Sequence, residues 1–245
     1  MLKKLFQSFR FPLRRLPHPR RTPEILSSRQ HSLHRNDLSR HAVSVVERLQ
    51  HAGYEAYVVG GCVRDLLLDL EPKDYDVATS ATPEQVRAEF RNARVIGRRF
   101  KLVHVHFGRE IIEVATFRAN HPEEDDDEAN HLASRNESGR ILRDNIYGTL
   151  EDDAQRRDFT INALYYDPSS ERILDHTHGV HDIRNRLIRL IGDPEQRYQE
   201  DPVRMLRAVR FAAKLNFEIE KHSAEPIADL AELLNDVPSA RLFDE

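Results

Sequence analysis

The chain has 245 residues, 39% hydrophobic and 32% charged, with one cysteine, nine glycines, no tryptophan and a net charge of −4. That length holds one compact domain and part of a second. The lack of an apolar run of about 18 residues excludes a membrane-spanning helix, and the single Cys62 excludes a disulfide scaffold or a Cys-rich zinc site and fits a reducing compartment. Because the net charge is acidic, nucleic-acid binding requires a local basic patch.

Residues 1–36 supply one, with nine Lys/Arg against the single acid Glu24. Leu2, Leu5, Phe6, Phe9, Leu13 and Leu16 share a helical face, with Pro12 as a kink. Such a basic amphipathic segment suits RNA or an anionic membrane surface, or a solvated flexible tail; the expectation is a tail over 1–36. The folded part is expected to start at Asn36-Asp37 as an N-cap pair, with a helix to Ala52 that Gly53 stops. Glu55–Val59 reads as a strand ending at Gly60-Gly61, Cys62–Leu68 as a helix and Lys73–Ala78 as a strand. Thr82-Pro83-Glu84-Gln85 is a capping box with Pro at the first helical position. Leu102–Phe107 and Glu110–Phe117 read as strands joined by a two-residue turn, Gly108-Arg109. Residues 119–140, which hold the acidic run Glu123–Glu128, read as a polar insertion. Periodicity does not decide 159–166 or 187–191. From Asp201 the pattern turns helical, with Val203, Leu206, Val209 and Ala213 as the apolar stripe. Strands first and helices last make an α+β fold.

The densest constellation is Gly60-Gly61-Cys62-Val63-Arg64-Asp65 followed by Asp74-Tyr75-Asp76. Glycines between a strand and a helix let main-chain N–H groups approach an anion, and Arg64 adds a fork suited to phosphate. Asp74 and Asp76 on one strand share a face. Like charges so placed repel unless a cation lies between them, and hard oxygens suit Mg²⁺. Glu113 shares its face with Ile111, Ala115 and Phe117, where an unpaired acid is costly. Three such acids can hold two Mg²⁺ ions for phosphoryl transfer, although a solvated polar strand face is the plainer reading of Asp-x-Asp alone. His104 and His106, and the loop histidines His176, His178 and His181, read as structural, and Cys62 as a buried thiol.

These motifs resemble the polymerase-β-like nucleotidyltransferase superfamily, and within it the class II branch of CCA-adding enzymes and bacterial poly(A) polymerases. The resemblance continues through Arg156-Arg157-Asp158-Phe159-Thr160-Ile161-Asn162 and through Glu200–Phe211, and so covers about residues 37–245. It implies a nucleotidyltransferase head, a small mixed sheet with flanking helices over 37–178, and the start of an all-helical neck over 179–245. It also implies that Asp74 and Asp76 ligate two Mg²⁺ ions, with Glu113 or Asp158 as the further acid. Gly60, Gly61 and Arg64 would meet the triphosphate of ATP, and Arg157 and Asn162 the sugar. Asp201 and Arg204, three residues apart on one helix, would read the base; Arg207 and Arg210 would extend that face toward phosphate. A helical ion-pair ladder is the plainer alternative for these four.

Val95–Val105, the insertion and Leu142–Gly148 resemble the poly(A) polymerase side of the branch. The implied activity is Mg²⁺-dependent transfer of AMP from ATP to RNA 3′ ends. It would take place in the bacterial cytoplasm, with the N-terminal segment as a possible route to the inner membrane. CCA addition to tRNA is the alternative within the branch. A truncated, inactive nucleotide- or RNA-binding module is the alternative of another class, since family members carry further helical domains. Two departures stand out: Asp69 replaces a frequent Gly, and His178-Gly179 replaces a Gly-Gly pair.

Overall fold

A computed structural model describes residues 22–97, 101–119, 133–135, 141–144, 147–243 and 245. The basic amphipathic segment up to residue 21, Arg98–Phe100 and the acidic run Glu123–Glu128 lie outside the described residues.

The chain enters through β1 (Glu24–Leu26) and a 3₁₀ turn at Arg35–Asp37, then α1 (Arg40–His51), β2 (Ala56–Val59), α2 (Gly61–Leu67), β3 (Asp76–Thr79), α3 (Pro83–Glu89) and β4 (Ala93–Ile96). The hairpin β5 (Leu102–Phe107) and β6 (Glu110–Thr116) and the ribbon β7 (Ala133–Arg135) and β8 (Ile141–Asp144) follow. Next come α4 (Leu150–Arg156), a 3₁₀ turn at Thr160–Asn162, β9 (Leu164–Asp167), β10 (Arg172–Asp175), α5 (Gly179–Arg184) and β11 (Leu187–Ile188). The helical end holds α6 (Pro194–Glu200), α7 (Val203–Leu215), β12 (Glu218–Ile219), α8 (Lys221–Ala224), α9 (Ile227–Leu230), a 3₁₀ turn at Ala231–Asp236 and α10 (Ser239–Phe243).

Eight strands form one mixed sheet in the order β1-β10-β9-β2-β3-β6-β5-β4, in which β3 and β6 run parallel and the other neighbours antiparallel. This is the α+β fold the patterning implies. A core of Val46, Leu49, Val58, Val77, Val105, Ile112, Leu164 and Tyr166 packs α1 and α2 onto the sheet. Removing this much apolar surface from water is the main force holding helices to strands. The turn at Gly108, with φ of 66°, closes the β5–β6 hairpin, and Thr82 and Gln85 exchange both bonds of the capping box. Among the described residues no helix is long and apolar enough to cross a membrane.

Four expectations are corrected. Residues 24–36 belong to the fold and not to a tail: β1 pairs with β10, and Leu26 and Leu33 are buried. The N-cap of α1 is Ser39, whose hydroxyl accepts from the N–H groups of His41 and Ala42, and not Asn36-Asp37, which sit in the preceding 3₁₀ turn. Of the stripe expected on α7, Val203 is buried, but the rest of the buried face is Met205, Ala208, Phe211 and Leu215, while Val209 is 52% exposed. The expected stripe starts on the buried face at Val203 and leaves it at Leu206, Val209 and Ala213. Finally, residue 178 is not a seam. The main chain of 189–191 bonds that of Asp158 and Thr160, and Phe159 bridges Leu190, so 179–191 is part of the head. From the span read as a polar insertion, 133–135 pairs with 141–144, which follows that span.

Asp69 and His178 adopt left-handed φ values of 56° and 63°. The turns that the resemblance associates with glycine keep their backbone shape, at some cost, with a side chain in place.

Candidate active site

Strand register assembles the acids. Val59, which precedes Gly60, lies opposite Asp76; Asp76 lies opposite Glu113; Glu113 lies opposite His104. Asp76 is the first residue of β3, and Asp74 lies just before the strand, so the two are not both strand residues as expected. Asp74 still acts on Asp76. Burial, then the charges of Glu113 and Asp74, push the Asp76 carboxyl up to about 6, while Arg157 opposes them. Glu113 stands on the more open face of β6 beside Ile111, which is 42% exposed, whereas Ile112 and Val114 are buried. The cost argued for it from an apolar face is therefore small, and its placement next to Asp76 is what sets it apart. Its Oε2 lies 3.2 Å from His104 Nε2. The sequence reading left His104 as structural; only the register shows that it faces an acid.

Gly60 adopts φ of 84°, which a side chain rarely takes. A Cβ there would lie 3.6 Å from Arg157 Nη1 and 3.9 Å from Asp76 Oδ2, so this glycine lies between a cation and an acid. Gly61 opens α2 directly after it. Cys62 is buried, with Sγ 3.3 Å from the Val59 carbonyl, and burial pushes its thiol up to about 12, in keeping with an inert thiol.

Arg64 does not meet its expectation. It is 3% exposed. Its Nε and Nη2 donate to Asp65 Oδ1 at 2.8 and 2.6 Å, and its Nη1 donates to Asn162 Oδ1 at 2.6 Å. Asp65 and the ring of Phe211, 5.1 Å away, hold the guanidinium inside, so it orients Asn162 and is closed to a triphosphate. From there a polar string crosses to the helical end. Asn162 Nδ2 donates to Asp158 Oδ1 at 3.2 Å, and Arg207 Nε donates to Asp158 Oδ2 at 2.9 Å. Arg207 and Arg210 both donate to the Glu245 carboxylate. Burial would raise the Asp158 carboxyl, but Arg207 and the hydrogen bonds from Asn162 and the Phe159 N–H hold it below the usual carboxylate range. Asp158 thus serves Arg207 and Asn162, and Glu113 is the acid that neighbours Asp76.

Asp201 and Arg204 are not on one helix: Asp201 is the C-cap of α6, and Arg204 lies in the first turn of α7. They do not pair. Arg204 Nη1 donates to the Arg197 carbonyl at 2.7 Å and to Glu200 at 3.2 Å. Asp201 Oδ2 accepts from Arg241 Nη2 at 2.6 Å, and its Oδ1 is buried without a hydrogen-bond partner among the described residues. Arg118, Arg157, Arg197 and Arg204 converge on Arg156; burial first, and then these neighbours, bring it down to about 9. Such a cluster favours a polyanion.

Among the described residues no three His, Cys, Asp or Glu side chains converge in a way that could hold a metal ion. The donor chemistry nonetheless fits a hard divalent cation. Asp74, Asp76 and Glu113 are oxygen ligands whose mutual repulsion raises Asp76, and bound positive charge relieves that repulsion. The loop histidines lie elsewhere: His176, His178 and His181 border a cavity of about 650 Å³ on the Thr160 and Arg189 side, which none of these acids lines.

The fold and this cluster of acids, glycine and arginines define a nucleotidyltransferase-type head, and comparison with known proteins places it further. Residues 56–189 match the family described as the poly A polymerase head domain, and the chain belongs to that family. Residues 216–245 match a probable RNA and SrmB-binding site of polymerase A. The chain is 58% identical over 221 residues to the poly(A) polymerase I of Salmonella typhimurium, covering 90% of this chain and 47% of that protein. It is 41% identical over 204 residues to a CCA-adding enzyme of Lactobacillus helveticus, covering 83% and 48%. The crystal structure of the Bacillus stearothermophilus CCA-adding enzyme in complex with CTP superposes with a TM-score of 0.67 at 36% identity, over 80% of this chain and 44% of that one. The chain spans about half the length of the curated relatives it matches.

Proposed function

We propose that the chain is the catalytic head of a template-independent polynucleotide adenylyltransferase, which transfers AMP from ATP to RNA 3′ ends and releases pyrophosphate. The single observation that carries the reading is the register that sets Asp76 beside Glu113 and over Gly60, in a chain of this family. The higher identity to a poly(A) polymerase I than to a CCA-adding enzyme supports adenylate addition over CCA addition.

Asp74 and Asp76, with Glu113 beside them, would hold Mg²⁺, which when bound neutralises the triphosphate and acidifies the attacking 3′-hydroxyl. Gly60 lets the nucleotide approach the backbone, and Arg157 presents Nη1 toward the same point. Asn162, oriented by Arg64, and Arg207, oriented by Asp158, line the way to the helical end. Asp201 Oδ1 is a free acceptor among the described residues, and adenine offers an exocyclic amine to such a group. The converging arginines suit the phosphates of the nucleotide and of the RNA.

Incorporation of ATP and of CTP into an oligo(A) RNA and into a tRNA lacking its CCA end, with Mg²⁺ and with EDTA, tests the reading. Metal-dependent ATP addition to both RNAs is expected. CTP-then-ATP addition confined to the tRNA overturns it in favour of CCA addition. RNA binding without incorporation overturns it in favour of a binding module.

A further inference from the structure

The site at Gly60 rests on two side chains that the sequence motifs do not single out. Asp153, in the last turn of α4, and Tyr165, on β9, are buried. Asp153 Oδ2 accepts from Arg157 Nε at 3.2 Å, from Arg157 Nη2 at 3.1 Å and from the Tyr165 hydroxyl at 2.7 Å. The Tyr165 oxygen in turn accepts from Arg157 Nε at 3.0 Å, and its ring centroid lies 5.3 Å from the guanidinium carbon. The main-chain N–H of Arg118 donates to Asp153 Oδ1 at 3.3 Å, which ties the carboxylate to the end of β6. One edge of Arg157, the Nε–Nη2 edge, is therefore fixed. The remaining nitrogen, Nη1, reaches the Asn162 carbonyl at 3.4 Å and stands at Gly60 across from Asp76 Oδ2.

We propose that Asp153 and Tyr165 are positioning residues that hold Arg157 by its Nε–Nη2 edge, so that Nη1 presents a fixed cation to the oxygens of a nucleotide at Gly60 and Asp76. The inference rests on the nucleotidyl-transfer reading above. An arginine side chain is long and flexible, and a guanidinium held by its far edge binds an anion without first losing that freedom. A carboxylate alone would hold the guanidinium by one side. The tyrosine hydroxyl, which donates to the carboxylate and accepts from Nε, closes the arrangement into a ring of three groups that disfavours other rotamers. The ordinary alternative is a buried ion pair that only stabilises the fold. The two differ in what happens when Arg157 is already gone.

Tyr165→Phe, Asp153→Asn, Arg157→Gln and the Asp153→Asn/Arg157→Gln double variant decide between them. Initial rates of ATP incorporation into RNA are measured together with melting temperature and with Mg-ATP affinity by calorimetry. Asp153→Asn is expected to raise KM for ATP about tenfold, the size of a lost charged hydrogen bond, and Tyr165→Phe about threefold, with KM for RNA unchanged. The double variant is expected to be no weaker toward ATP than Arg157→Gln alone. Effects that multiply in the double variant overturn the proposal, as does an Asp153→Asn protein that melts earlier yet keeps its ATP affinity. If Asp153→Asn does not fold, Tyr165→Phe, which keeps its shape and loses only a hydroxyl, carries the test; an unchanged ATP affinity there overturns it. If the unaltered chain binds ATP but transfers nothing, the adenylyltransferase reading fails while the affinity series still judges Asp153 and Tyr165.

Discussion

Asp76 shows how a buried carboxylate beside other acids strains the fold that holds it. Burial, Glu113 and Asp74 push its carboxyl up to about 6, from 3.8 for the free side chain. The folded chain thus binds this proton more tightly than the unfolded one. The stability that goes with it is present below about pH 4 and is lost as pH rises through 6. Without a divalent cation, Asp76→Asn is therefore expected to stabilise the protein at pH 7.5 by about 1–2 kcal/mol, after allowing for partial exposure, and by nothing at pH 4. Urea unfolding in EDTA across that range measures it; a variant less stable than the parent at pH 7.5 contradicts it. At this scale the sequence is legible where chemistry is local. Asp74, Asp76 and the Gly60-Gly61 turn are close in the chain, and so are Arg157 and Asp158. It fails where burial decides. Nothing in the Gly-Gly-x-x-Arg spacing says that Arg64 turns inward under Phe211, and nothing near Glu113 says that its neighbours are Asp76 and His104. A clue to Asp153 was present, because Asp153 and Arg157 are i, i+4 at a helix end.

Elements with their own punctuation were legible too. The Thr82 capping box and the Gly108-Arg109 turn specify α3 and the β5–β6 hairpin within a residue or two. By contrast, β1 has only three residues, and its pairing with β10 joins segments that are distant in the chain. Local patterning cannot see such a partner, so a basic, proline-containing start reads as a tail even though Leu26 and Leu33 are core. The stripe expected on α7 leaves the buried face after Val203 for a related reason: apolar residues fall on more than one face of this helix, and only tertiary packing selects Met205, Ala208, Phe211 and Leu215. Close packing of elements leads to a sharp expectation at the start of α5. A Cβ on Gly179 would lie 2.1 Å from the Thr160 carbonyl oxygen, so the helix could not approach the turn that carries Asn162. Gly179→Ala is expected to destabilise the protein by about 3 kcal/mol, read by chemical denaturation. A change below about 0.5 kcal/mol, the size of an indifferent surface substitution, contradicts the packing described here.

Over the whole molecule, a polar string links the sheet to the helical end, from Asp65 through Arg64, Asn162, Asp158 and Arg207 to Glu245. The acids and Arg157 sit on the sheet side, and Asp201, Arg197 and Arg204 sit on the helical side. The groups proposed for reaction and for recognition thus stand on different elements linked by buried hydrogen bonds. The sequence motifs announce both sides but not the string, because its links pair residues up to 98 positions apart. The central claim is that nucleotide transfer occurs at Asp74 and Asp76, and one measurement tests it most directly. Incorporation of radiolabelled ATP into an RNA 3′ end with Mg²⁺ is compared for the chain, Asp74→Ala and Asp76→Asn, with circular dichroism to establish that each is folded. The account predicts transfer by the chain and a loss of at least about a thousandfold in either folded variant. Near-parental transfer by either variant would contradict it.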